Sequence, residues 1–155
     1  MKRLAAVAEG LGYENVSTYI NSGNLLFDAR GAKGAVRLAV EKALRKEFGF
    51  SIPTLIKTQR EMRAIAKAIP PGWQNDAKQR TDVAYLFADA DKKAIVDELP
   101  LARDYVDVRY VKGALVWHID RKDYAKSRLN KLIGHPTYQS MTVRNVNTAR
   151  RLAAG

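Results

Sequence analysis

VSTYINSGNLLF, residues 16–27, joins two β-rich runs through Asn21-Ser22-Gly23-Asn24. Val16 to Ile20 and Leu25 to Phe27 carry side chains suited to a pleated strand, and glycine and asparagine tolerate the positive φ that a tight reversal needs. The stretch reads as a β-hairpin. Ahead of it, Leu4, Val7, Ala8 and Leu11 fall at i, i+3, i+4 and i+7, one face of a helix over residues 2–11, and Gly12 stands where such a helix stops. Behind it, Val36, Val40, Leu44 and Phe48 form a stripe along 33–48, with Arg37, Glu41 and Arg45 as a charge ladder on another face. Gly49 ends that helix, and Pro53-Thr54-Leu55-Ile56-Lys57 reads as a strand with proline at its first, tolerated position.

Thr58-Gln59-Arg60-Glu61 is a capping box, and the helix it opens turns Met62, Ile65, Ala66 and Ile69 inward before Pro70-Pro71-Gly72 breaks it. That loop is the expected boundary between two halves, 1–72 (αββαβα) and 73–155 (βαββαα). In the second half the patterns predict a strand over 82–88 and a helix over 91–99. A hairpin follows over 105–119, turning at Lys112-Gly113, then helices near 125–133 and 143–153, the last capped by Thr142. Helices alternating with antiparallel hairpins predict an α+β fold: two ferredoxin-like halves on the βαββαβ template, helices on one face of each sheet.

The first half lacks that template's initial strand. The strand is central in the sheet, so leaving it out strands backbone groups on both neighbours, at roughly 1–3 kcal/mol for each one buried unsatisfied. The expectation is that another strand of this chain, a second molecule in a homodimer, or a rearrangement fills the gap.

At 155 residues and 46% hydrophobic content the chain can bury a core without staples. It has no cysteine, which excludes a disulfide framework, thiolate zinc sites and a cysteine nucleophile together. No apolar run approaches the roughly 20 residues that span a bilayer, and the first residues lack a secretory h-region. A cytoplasmic protein with no membrane partner is the expectation. The net charge of +11 is unevenly spread: +4 over 1–57, zero over 58–100 and +7 over 101–155. Residues 121–155 carry eight bases against Asp123 alone. Such a segment attracts nucleic acid or another polyanion by counterion release, with Lys126, Lys131, Arg150 and Arg151 as candidate contacts. A solvated basic surface that serves solubility fits the same composition.

Three polar groups are candidate ligand-binding residues. Asn21, Ser22, Gly23 and Asn24 either satisfy hairpin geometry or present donors beside a glycine that lets a phosphate or ribose come close. Thr142, Arg144, Asn145, Asn147 and Thr148, read as a helix start, make either a well-capped helix or an anion pocket. Ser127 and Arg128 carry the same double reading, and a small-molecule cleft built from these pieces is the alternative to a polyanion-binding module. Catalytic signatures are missing: no G-x-S-x-G elbow, phosphate-binding loop or dinucleotide fingerprint occurs, and His118 and His135 lack metal-ligand spacing. No cofactor or metal is expected. Trp73, Tyr85, Tyr110 and Trp117 offer stacking surfaces for bases, although alternating strand aromatics also build cores.

YENVSTYINSGNLLFDA (13–29), EKALRKEFGFSIPTLIKT (41–58) and SRLNKLIGHPTYQSMTVRNVNTARRLA (127–153) together resemble the bacterial family named domain of unknown function 1697. The most specific pieces are Gly12-Tyr13-Glu14-Asn15-Val16, Tyr19-Ile20-x-Ser22-Gly23-Asn24, Glu47-Phe48-Gly49-Phe50, Ser127-x-Leu129 and Thr142-x-Arg144-Asn145-x-Asn147-Thr148. The resemblance implies two ferredoxin-like halves and no known activity. It also implies an apolar strand and a glycine-rich loop ahead of the first helix. Neither is present, so Met1 reads as an internal methionine of a longer chain.

Overall fold

The computed structural model describes residues 2–19 and 23–155. The chain divides into two compact units, one of residues up to Thr58 and one of Gln59–Ala154. The break precedes the capping-box helix instead of following it at the Pro70-Pro71-Gly72 loop.

In the first unit, helix α1 (Lys2–Gly10) leads into strands β1 (Glu14–Tyr19) and β2 (Asn24–Asp28), and helix α2 (Lys33–Phe48) follows. The strands pair antiparallel with Tyr19 opposite Asn24, Thr18 opposite Leu25 and Ser17 opposite Leu26. Gly23, at φ 83°, takes the left-handed conformation expected of the turn; Asn21 and Ser22 lie outside the described residues. Glycine also ends α2, where Gly49 at φ 82° donates its N–H to the Arg45 carbonyl at 2.8 Å. The predicted stripe is the core: Val36, Val40 and Leu44 are buried, and Leu4, Val7, Leu11, Tyr13, Phe27, Phe48, Ile52 and Ile56 pack against them. Tyr13 and Phe27 stack at 4.7 Å.

Residues 53–57 do not form the predicted strand. Among the described residues the sheet of this unit holds β1 and β2 only, and residues 51–58 run outside any ladder. Their partner in a βαββαβ sheet is the first strand, and among the described residues no strand precedes α1. Pro53 has no N–H to donate; Ile52 and Ile56 pack on the core of this unit, and the Ile52 carbonyl accepts the Thr54 hydroxyl at 3.0 Å. Of the three expected ways to fill the gap, no other strand of the chain does so among the described residues; the fourth strand has dropped out of the ladder instead.

The second unit holds the complete motif. Helix α3 (Gln59–Ala68) precedes β3 (Gln79–Leu86), two 3-10 turns (Ala88–Ala90 and Lys93–Glu98), and the hairpin β4 (Asp107–Val111) and β5 (Ala114–Asp120). The short helix α4 (Tyr124–Ser127), strand β6 (Met141–Asn145) and helix α5 (Val146–Ala154) complete it. The strand order is β4-β5-β3-β6, which sets the first strand between the third and the fourth. Thr81 to Leu86 are buried throughout, as a central strand covered on both faces requires. One face packs Ala84, Leu86, Leu115, Trp117 and Ile119 against Ile95, Leu99, Leu129, Leu132 and Met141. α3 lies against α5, which packs on β3 and β6.

Three predicted helices change here. Residues 91–99 make only 3-10 turns. The helix near 125–133 breaks after Ser127, whose hydroxyl donates to the Tyr124 carbonyl at 2.6 Å and accepts the Leu129 N–H at 3.2 Å. Arg128 turns left-handed at φ 64° between them. Residues 141–145 form β6, not the start of a helix, because they pair antiparallel with β3, Thr142 opposite Tyr85 and Arg144 opposite Val83. The cap of α5 is therefore Asn145, whose Oδ1 accepts the Thr148 N–H at 3.0 Å, and not Thr142.

Candidate functional site

Beyond β5 the chain makes a 3-10 turn (Arg121–Asp123), α4 and a second 3-10 turn (Leu129–Lys131), segments too short to bury much of their surface. Arg121, Lys122, Lys126, Arg128 and Lys131 are all exposed on this ridge, with Asp123 its only carboxylate. The ridge is tied down by Arg121 at its start and by Ser127 at its centre. Arg121 donates from Nε to the Asp76 carbonyl at 2.6 Å and from Nη2 to Asn75 Oδ1 at 2.9 Å. Ser127 is fully buried, and its carbonyl accepts the Ala102 N–H at 2.9 Å. Lys126 lies 5.4 Å from the Tyr105 ring. Among the described residues, no carboxylate lies within ion-pairing distance of Lys122, Lys126, Arg128 or Lys131. Their charge faces water.

The bases of α5 are placed differently. Arg150 donates to Gln74 Oε1 at 2.9 Å and to the Pro70 carbonyl at 3.4 Å, and Asn147 donates to the Asn75 carbonyl at 3.2 Å. Both pin the 70–79 loop, while Arg151 is exposed. Thr148 is buried beneath its cap. Arg144 sits half-buried on β6 and donates from Nη1 to Thr142 Oγ1 and to the Val143 carbonyl, both at 2.8 Å. Burial holds its guanidinium below the ordinary value. Burial also pushes the neighbouring Tyr85 phenol up to about 12, against the opposing pull of the Arg144 charge. Asn24 is buried and donates from Nδ2 to the Tyr19 carbonyl at 3.0 Å, closing the hairpin. Gly23 and Asn24 belong to the first unit, and Ser127, Arg128 and residues 142–148 to the second.

Sequence reasoning missed a polar assembly centred on β3. Thr81, fully buried, donates its single hydroxyl proton to the Gln74 carbonyl at 2.8 Å, so its oxygen must accept from His118 Nδ1, also at 2.8 Å. The neutral imidazole thus carries its proton on Nδ1. Trp73 stacks on that ring at 5.0 Å and carries the Arg109 guanidinium at 4.7 Å. Beside it, an open cleft of about 490 Å³ is lined by Arg103, Asp104, Tyr105, Asp107, His118 and Asp120. Three carboxylates make it a poor site for a polyanion. On the other face, Asp82 Oδ2 accepts from buried Trp117 Nε1 and from Arg80 Nε, both at 2.9 Å. The polar residues Thr81, Asp82 and His118 within otherwise apolar strand segments were the available signal, but apart from Arg80 their partners are seven to 37 residues away. Trp117 and Tyr85 are core, which removes two of the four candidate stacking surfaces. Tyr110 donates its hydroxyl to Asp91 at 2.7 Å. Among the described residues no group of three or more His, Asp or Glu could hold a metal ion, and no helix is long and apolar enough to cross a membrane.

Fold and surface define an α+β protein with two ferredoxin-like units, the second bearing a basic ridge. The chain belongs to the family described as protein of unknown function (DUF1697), whose sequence profile matches residues 1–117. The tail quoted for the resemblance lies beyond that match. The chain is similar in structure to the conserved bacterial protein SP0830 from Streptococcus pneumoniae, with a TM-score of 0.83 at 24% identity over 99% of this chain and 87% of that one. This likeness establishes the fold. No curated protein matches the sequence.

Proposed function

We propose that the protein is a non-catalytic binding module for a polyanion, with nucleic acid as the natural candidate. The observation that carries this reading is the ridge of Arg121 to Lys131, five exposed cations against one carboxylate, four of them without an ion-pairing partner among the described residues. Cations fixed on short, internally bonded turns hold their spacing, and each phosphate they neutralise releases a counterion. Lys126 and Lys131 are the central contacts. Exposed Arg151 extends the surface, and Arg150 contributes charge while it holds the 70–79 loop. The cytoplasm is the compartment this reading assigns.

A small-molecule protein is the second reading, and the cleft beside His118 favours it: the imidazole has a defined tautomer and neighbouring carboxylates complement a cationic ligand. One experiment separates the two. A labelled mixed-sequence single strand and the matching duplex are titrated with protein from about 50 to 200 mM salt, where five phosphate contacts on a duplex should cost roughly 500-fold in affinity. Binding that follows this slope supports the module. Absence of binding at low salt overturns it and leaves the cleft as the site to screen.

A further inference from the structure

The cations of the ridge do not stand alone. Among the described residues of the second unit, Tyr105 and Tyr124 are the exposed aromatic side chains, at 39% and 41%. Both border α4. Tyr124 is its first residue, and Lys126, two positions on, sets its ammonium 5.4 Å from the Tyr105 ring. The Arg80 guanidinium lies 5.5 Å from the Tyr124 ring, so each ring has a cation over it. The aromatic residues that the sequence suggested for stacking are engaged elsewhere. Tyr85 and Trp117 are in the core, Tyr110 bonds Asp91, and Trp73 stacks on His118 beneath Arg109.

Both rings are held from behind. Arg80 is itself fixed by Asp82, whose Oδ2 accepts its Nε–H at 2.9 Å and also accepts from buried Trp117. Tyr105 stands on a turn in which its own N–H and that of buried Val106 donate to the Ala102 carbonyl, both at 3.0 Å. The Ala102 N–H donates in turn to the Ser127 carbonyl at 2.9 Å, which ties this turn to α4. Rings fixed in advance lose little freedom when a flat partner stacks on them.

We propose that the ridge takes a single-stranded nucleic acid, with unpaired bases stacked on Tyr105 and Tyr124 and phosphates following Lys122, Lys126, Arg128 and Lys131. The inference rests on the polyanion reading and narrows it. Charge alone favours a duplex, which releases about 0.9 of a counterion per neutralised phosphate against about 0.7 for a single strand. Stacking reverses the order, because only an unpaired, splayed base offers its face to a side chain. Exposed aromatic rings set among cations are the combination that holds unpaired strands without regard to sequence. Carboxylates limit where the backbone runs. Asp104 and Asp107 flank Tyr105 in the chain and line the acidic cleft with it, so the phosphates lie on the Lys126 side of that ring. Asp123, next to Tyr124, is the one carboxylate they pass on the ridge. Each stack should contribute roughly 5- to 150-fold in affinity.

A labelled mixed-sequence DNA strand, its RNA counterpart, the matching duplex and an abasic DNA strand of equal length are titrated with the protein at about 50 to 200 mM salt. Both base-bearing single strands should bind at least about fivefold more tightly than the duplex and the abasic strand. Tyr105→Ala and Tyr124→Ala should each lose about fivefold or more on those strands, whereas Tyr105→Phe and Tyr124→Phe, which keep the ring, should retain the affinity. The slope of log affinity against log salt should stay at the wild-type value, because no charge is removed. With both tyrosines changed to alanine, the base-bearing strands should bind no more tightly than the abasic one. Circular dichroism checks that each variant is folded. Equal binding of base-bearing and abasic strands overturns the proposal while leaving the polyanion module in place, and so do alanine variants that bind like the wild type. A loss at phenylalanine equal to that at alanine assigns the contact to the hydroxyl and overturns stacking as well. Absence of binding to all four probes at low salt overturns the module and this inference with it.

Discussion

Replacing Asp82 by alanine tests whether the polar pair on the core face of β3 is structural. Asp82 and Trp117 are directly opposed across β3 and β5, and both are almost fully buried, at 4% and 1% exposed. One oxygen, Oδ2, accepts the indole N–H at 2.9 Å and the Arg80 Nε–H at 2.9 Å. Alanine leaves the indole N–H buried with no acceptor, at roughly 1–3 kcal/mol. Arg80 loses its counter-ion as well, but its side chain is one-third exposed and lies 5.5 Å from the Tyr124 ring, so water recovers most of that interaction. The expected loss is about 2–3 kcal/mol. Asp82→Asn keeps an oxygen for the indole and surrenders only the charge, so its loss should be about 1 kcal/mol. Urea unfolding followed by tryptophan fluorescence resolves the difference: with m-values of about 1–3 kcal/mol/M, the alanine variant should unfold about 1–2 M earlier. The reasoning is refuted if Asp82→Ala unfolds within about 0.2 M of the wild type, or if asparagine is as damaging as alanine.

Changing Lys122, Lys126 and Lys131 together to alanine should lower the slope of log affinity against log salt on duplex DNA by about 2.7, with the melting temperature nearly unchanged because all three are exposed; an unchanged slope would move the contact off the ridge. Tyr85 should make the fold alkali-sensitive. Its phenol ionises near 12 in the folded protein and near 10 unfolded, so the unfolded state releases its proton first, and stability present below pH 10 drains away between pH 10 and 12 by about 3 kcal/mol. Denaturation curves at pH 9 and 12 should show that increment in the wild type beyond any fall seen in Tyr85→Phe. Asn145→Ala should cost about 1 kcal/mol by uncapping α5. Thermal melts that place Thr142→Ala at an equal cost would return the cap to Thr142. Long-range ¹H–¹⁵N spectra should find neutral His118 protonated on Nδ1 in the wild type and a tautomer mixture in Thr81→Val; the same tautomer in both would sink the role given to the Thr81 hydroxyl.

The sequence alone determined those features of this protein whose causes are local. Apolar residues spaced by three and four marked α1, α2 and α3, and glycines that need a positive φ marked the ends at Gly12 and Gly49 and the turns at Gly23 and Gly113. The α+β class, the absence of a cysteine framework and the basic C-terminal segment followed from the same kind of reading. Two short segments show where it stopped. Met141-Thr142-Val143-Arg144-Asn145 was read as a helix start and is a strand, while Pro53-Thr54-Leu55-Ile56-Lys57 was read as a strand and joins no sheet. Their local preferences are close; what separates them is a partner. Residues 141–145 find β3, about 60 positions away in the chain, and pair with it from Asp82 to Leu86. Residues 53–57 find no first strand among the described residues. The same dependence on distant partners hid the cap at Asn145, the bond between Asp82 and Trp117, and the fixed tautomer of His118. A strand is completed by hydrogen bonds it cannot make with itself, so only the tertiary structure could decide which extended segment becomes one.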